Sequence, residues 1–130
     1  MFSYGKLWKE VVALPVIEIW GLPDLPIDIE RKLLKELRND VLDAVSGFKV
    51  LGITKDQIEV FFPPEKTKRE PGTKIVIWVK GLFEKPERTC GVLNRLANVV
   101  SAAVWRHFPQ SRVECFVESF NPARDFRPTA

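Results

Sequence analysis

PVIEIW, Pro15 to Trp20, sets β-branched and aromatic residues around a single acid, and Gly21, Pro23 and Pro26 close it off. That composition reads as a largely buried strand ended by turn residues. Downstream, Asp28 can cap a helix whose Ile29, Leu33, Leu37, Val41 and Val45 recur every three to four residues, with Leu34 and Leu42 beside them, until Gly47. Its other face, with Glu30, Lys32, Lys35, Glu36, Arg38 and Asp43, belongs to solvent, so one stripe is left to cover a sheet. After Gly52 and Asp56, Gln57 to Phe62 (QIEVFF) predicts a second strand with Ile58, Val60 and Phe62 on one face, stopped by Pro63 and Pro64.

The polar stretch EKTKREPG, Glu65 to Gly72, is an exposed loop ending in a Pro-Gly turn signal, and beyond it the pattern repeats. Lys74 to Phe83 (KIVIWVKGLF) predicts a third strand, with Gly81 marking a bulge or a close approach. Pro86 suits a first helical turn, and Val92, Leu93, Leu96, Val99, Val100, Ala103 and Val104 build a second amphipathic helix closed by Pro109. Arg112 to Phe120 (RVECFVESF) alternates, with Val113, Cys115 and Val117 on one face and Arg112, Glu114, Phe116, Glu118 and Phe120 on the other.

The expected fold is therefore α+β: two βαβ units in one four-stranded mixed sheet with two helices on one face. Right-handed crossovers make the strands of each unit parallel and put both helices on the same side. Residues 1–14 form an N-terminal extension and residues 15–130 the domain, divided into a βαβ unit at 15–62, a loop at 63–73, a second βαβ unit at 74–120 and a tail at 121–130. The uncovered sheet face would carry Phe61, Phe116 and Phe120 among charged residues, more apolar surface than a monomer leaves wet, which predicts oligomerisation through it.

Composition narrows the function. The length of 130 residues suits one domain, and 20 Lys plus Arg against 17 Asp plus Glu leaves a net charge of only +3, an argument against nucleic acid as the main partner. Two cysteines, Cys90 and Cys115, and the single His107 supply neither a disulfide framework nor a metal-ligand set, so no metal or other cofactor and a reducing cytoplasmic setting are expected. The apolar run Val11 to Ile17 is too short to span a membrane and no export signal is visible, so no membrane association is expected. Cys90 and Cys115 read as structural residues, and His107, ahead of Pro109, as a partner of a helix C-terminus.

A strand opening with proline (PVIEI), a helix of about five turns, then GITKDQIEVFF and a second copy of the unit resemble the tautomerase superfamily, which includes macrophage migration inhibitory factor. The resemblance spans Pro15 to about Phe120. It implies a homotrimer with helices outside, small-molecule active sites between subunits, and an amino-terminal proline as general base in keto–enol tautomerisation. Pro15 matches that proline, but inside a peptide bond its nitrogen is an amide without a basic lone pair.

Two readings stay open. Either the residues before Pro15 are a genuine extension and the base is absent, or translation begins at codon 14. Lys9-Glu10-Val11 can be encoded AAG-GAG-GTG, a ribosome-binding sequence, and Leu14 by the initiating codons TTG or CTG. Methionine placed there is cleaved before proline, which frees Pro15.

The family's carboxylate-binding arginines fall at positions held here by residues near Leu25 and by Glu59, none of them basic, so the resemblance does not carry over a dicarboxylate substrate, which would need cations there. Glu59 is a candidate to orient a water or hydroxyl near Pro15, against the plainer role of a strand residue paired to a Lys or Arg. Lys80 and Arg112 are candidate anion ligands, against the plainer role of rim charges. Trp78, with Trp20, Phe61 and Phe83, is a candidate pocket wall, although such aromatics ordinarily form core. Asn121, Arg124, Phe126 and Arg127 of the tail are candidates to complete a neighbour's site. The strand-helix order also fits a ferredoxin-like small-molecule or RNA-binding module, for which Lys80-Gly81-Leu82-Phe83 is a poor RNA signature. A non-catalytic oligomer is the third alternative.

Overall fold

The computed structural model describes residues 15–64 and 73–121, so the extension 1–14, the loop 65–72 and the tail residues Arg124, Phe126 and Arg127 lie outside the described residues. Four strands, β1 (Val16–Trp20), β2 (Glu59–Phe61), β3 (Lys74–Phe83) and β4 (Arg112–Phe120), and two helices, α1 (Ile27–Ser46) and α2 (Cys90–Trp105), follow the expected order. The sheet runs β2-β1-β3-β4, with β1 parallel to β2, β3 parallel to β4, and the two central strands antiparallel.

Each βαβ unit thus keeps its two strands adjacent. A ferredoxin-like sheet splits each unit by inserting another strand between them. The ferredoxin-like alternative is corrected on this point.

Alternation decides the faces. Ile17, Ile19, Val60, Ile75, Ile77, Val79 and Leu82 point into the core, where they meet Leu37, Val41 and Val45 of α1 and Val92, Leu96, Val100, Ala103 and Val104 of α2, all buried. Fully burying one such side chain contributes about 1.5–3 kcal/mol. The other face of the sheet carries Val16, Glu18, Trp20, Glu59, Phe61, Lys74, Val76, Trp78, Lys80, Arg112, Glu114, Phe116 and Glu118, and no described helix covers it. Phe61 and Phe116 are 47% and 44% exposed there.

Local chemistry moved several boundaries. Helix α1 starts from Pro26 with no side-chain cap; Asp28 lies in the first turn with Glu30, where the positive end of the helix dipole favours acids. Ile29 is exposed, because the buried stripe begins at Leu33 and is complete only from Leu37. Strand β2 is shorter than QIEVFF predicts: the Gln57 side chain accepts from the Thr54 backbone N–H at 3.0 Å, a capping box that draws Gln57 into a 3-10 turn. Helix α2 begins after Thr89, whose hydroxyl accepts from Val92 N–H at 3.2 Å, so Pro86 stands in the preceding turn.

The bulge at Gly81 forms as expected, with φ of 80° and a register shift between Val79 and Leu82. Arg88 ties the two units together by donating to the carbonyls of Phe83 at 2.8 Å and Leu51 at 3.0 Å. His107 does not serve as a helix-end partner alone: its Nε2 lies 2.6 Å from Asp40 Oδ2 and links the end of α2 to α1.

Candidate active site at the head of the first strand

Pro15 is buried where β1 begins, and its carbonyl accepts the Glu59 N–H at 3.1 Å. The next residue, Val16, is flanked by Glu59 on β2 and by Lys80 on β3. The central position of β1 therefore brings three of the expected residues, Pro15, Glu59 and Lys80, to one end of the sheet. Glu59 is exposed and makes no ion pair with another described residue.

Lys80 is already engaged. Its Nζ lies 3.2 Å from Glu18 Oε1 and 5.7 Å from the centroid of the Trp78 ring. The same carboxylate oxygen accepts from Trp20 Nε1 at 3.2 Å. Trp78 in turn stacks on Phe116, with ring centroids 4.7 Å apart and planes at 23°. Beyond the bulge, Phe83 stacks on Phe120 at 5.7 Å. Trp20, Trp78 and Phe61 thus line the uncovered face and are not core.

Arg112 does not join this group within one chain. It stands opposite Lys74, six residues along β3 from Lys80, or about 20 Å at the rise of a strand. Both Arg112 and Lys74 pair with Glu114, at 3.0 and 3.1 Å. The reason is direction: β1 opposes β3 while β4 follows it, so β4 starts beside the end of β1 and not beside its head.

That far end also holds a cleft of about 220 Å³, walled by Leu22, Leu25, Leu33, Phe62 and Phe108 with Asp24 and Glu30 among its lining. None of the described residues that line it is basic.

Sequence reasoning missed Glu18. The signal was present, since Glu18 is the only acid in PVIEIW and alternation puts it on the face opposite Ile17 and Ile19. Of the two thiols, Cys90 is exposed at the start of α2, whereas Cys115 faces α2 and burial pushes its thiol up to about 12, opposed in part by a hydrogen bond with Ser101. No group of three or more His, Cys, Asp or Glu able to hold a metal occurs among the described residues. No described helix is long and apolar enough to cross a membrane.

No family model matches the sequence, and no curated protein does. Solved structures do match. Macrophage migration inhibitory factor from Toxoplasma gondii superposes with a TM-score of 0.53 at 20% identity, over 82% of this chain and 90% of that one. A protein of unknown function from Vibrio cholerae gives 0.55 at 12% identity, over 95% and 93%. A fused 4-OT described as a symmetric trimer gives 0.54 at 10% identity, over 83% and 87%. With the order β2-β1-β3-β4, both helices on one face and Pro15 at the head of β1, this chain has the tautomerase fold, that of macrophage migration inhibitory factor.

Proposed function

We propose that the protein catalyses proton transfer of the keto–enol type on a small carbonyl compound, with the ring nitrogen of Pro15 as general base, in a homotrimer closed through the uncovered sheet face. The observation that carries this reading is the position of Pro15: buried at the head of a central strand, with Glu59 beside its carbonyl and Lys80 opposite the next residue. A free secondary amine there would lose hydration of its charged form, which draws its pKa down from the roughly 8 of an α-amino group toward neutrality, where a base is most useful. In this reading Glu59 orients a water or hydroxyl and Trp78 walls the site. Arg112 could reach it only from a neighbouring copy, and the symmetric trimer of the fused 4-OT supports such an assembly.

The chemistry requires a free nitrogen, so initiation at codon 14 and loss of methionine belong to the proposal. Where Leu14 stays joined to Pro15, the nitrogen is an amide and the same fold is a non-catalytic oligomer.

Intact mass of the protein made from its native gene separates the two. A chain beginning at Pro15, together with ketonisation of the enol of methyl phenylpyruvate, an ester with no free carboxylate, that Pro15→Ala abolishes, is the expected result. A mass that includes residues 1–14, or equal rates for variant and parent, rejects the base.

A further inference from the structure

On the uncovered face the described cations are Lys74, Lys80 and Arg112, and the first and last share Glu114 at the end away from Pro15. Within one chain Lys80 is therefore the cation of that face that an anionic substrate at Pro15's end would meet. It is not free to meet one. Glu18 Oε1 holds it at 3.2 Å, and that oxygen is itself fixed by the indole N–H of Trp20 at 3.2 Å. The ammonium also lies over Trp78, whose ring is stacked on Phe116. One carboxylate is thus built into the place where a substrate carboxylate would bind, with a donor on each side of it.

A second acid, Glu59, stands across Val16 from Lys80 and has no cation of its own among the described residues. Around Lys80 this face holds that one cation against three acids, Glu18, Glu59 and, on β4 beside the bulge, Glu118. A carboxylate entering there would displace Glu18 or lie beside it, and either step is opposed by like charge.

We propose that Glu18 is a specificity-determining residue: it occupies Lys80, so the site takes carbonyl compounds that carry no carboxylate on the side facing β3. The inference relies on the reading above for the location of the site. Replacing Glu18 with Gln keeps an oxygen for the Trp20 N–H and removes the charge, which leaves Lys80 as an open anion ligand.

The test is calorimetric titration of the full protein with phenylacetate and with phenylacetamide, its uncharged counterpart. The parent should bind the amide at least as tightly as the acid. E18Q should shift the ratio toward phenylacetate by about tenfold, the scale of one unpaired charge at a partly exposed site. Lys80→Met added to E18Q should cancel that gain. A purely structural role for Glu18 would weaken both ligands alike and leave the ratio unmoved.

An unchanged ratio in E18Q, a parent that prefers phenylacetate, or no saturable binding of either ligand by any variant overturns the inference. Failure of the catalytic reading looks different: the ratio shifts as stated, yet no variant shows turnover that depends on Pro15.

Discussion

Gly21→Ala should be among the most damaging single-methyl additions in this protein. Gly21 ends β1 with φ of +84°, and a Cβ built on it would sit 2.4 Å from the carbonyl oxygen of Lys74. Two costs combine. An L-residue held at positive φ loses about 1 kcal/mol, and displacing a backbone carbonyl resembles overpacking, which costs about 2 kcal/mol. That oxygen belongs to the residue where β3 begins, opposite Arg112, so it cannot shift without disturbing the β3–β4 register.

The sum of about 3 kcal/mol, against an unfolding entropy of about 2.1 cal/mol/K per residue, lowers Tm by about 10 °C. Gly52 is the control: its φ is +65°, but nothing lies within 4 Å of the added carbon, so Gly52→Ala should cost only about 1 kcal/mol, or about 4 °C. Circular dichroism melts at one fixed protein concentration, which holds any assembly term constant, measure both. Equal shifts for the two variants would refute the reasoning, because the clash with Lys74 would then contribute nothing.

Other consequences follow from residues outside the site. At pH 8 a thiol reagent should label exposed Cys90 promptly and Cys115 only after denaturation, since a thiol pushed up to about 12 carries almost no thiolate; equal labelling rates would contradict its burial. Because that value lies above the ordinary 9.0, the unfolded chain releases the Cys115 proton first, and the stability involved is complete below about pH 9 and is lost as pH rises toward 12. Urea midpoints between pH 8 and 10.5 should therefore fall less steeply in Cys115→Ala than in the parent. Arg88→Leu removes both hydrogen bonds that join Phe83 and Leu51 and should cost about 2 kcal/mol in urea unfolding; a cost near zero would mean that the staple is not needed. If the parent scatters light as the proposed trimer, Phe116→Glu, which places a charge on the ring partner of Trp78, should reduce the mass to that of one chain, whereas an unchanged mass would move the interface elsewhere.

The repeat of strand, helix and strand was legible because both helices and three of the strands follow strict periodicities, and β3 and β4 run over the residues their patterns predicted. What failed was local competition. Gln57 has a side chain that Thr54 can use, and a pattern of apolar residues does not register that bond. Asp28 is a good cap by type, yet Pro26 already starts the helix.

The site was legible in part for a topological reason. Glu59 and Lys80 lie near Pro15 because both strands flank β1, and parallel pairing within a unit was predictable. The antiparallel meeting of the two units had to be known before Arg112 could be placed at the far end. Glu18 escaped notice because its role depends on Lys80, sixty-two residues away in sequence and adjacent only once β1 and β3 pair.

The charges of the uncovered face bear on why such a face is tolerated. Moving an ion out of water costs several kcal/mol unless a partner and further hydrogen bonds compensate it. Here Lys80 has Glu18, Glu18 has in addition the Trp20 N–H, and Lys74 and Arg112 share Glu114, all supplied from within the same face. The rings between them, Trp78 and Phe116, are stacked on each other and present apolar surface outward. A surface meant for water gains little from such pairing, since exposed ion pairs contribute at most about 1 kcal/mol. A surface meant to be covered gains much, because Lys74, Lys80 and Arg112 are compensated before a second copy arrives, which leaves the aromatic area to drive association and Glu59 and Glu118 as the acids without an ion pair among the described residues. On that reasoning the Glu18–Lys80 pair, proposed to turn carboxylates away from Pro15, also lowers the cost of closing the proposed trimer, and Glu18→Gln should assemble only at a higher protein concentration than the parent.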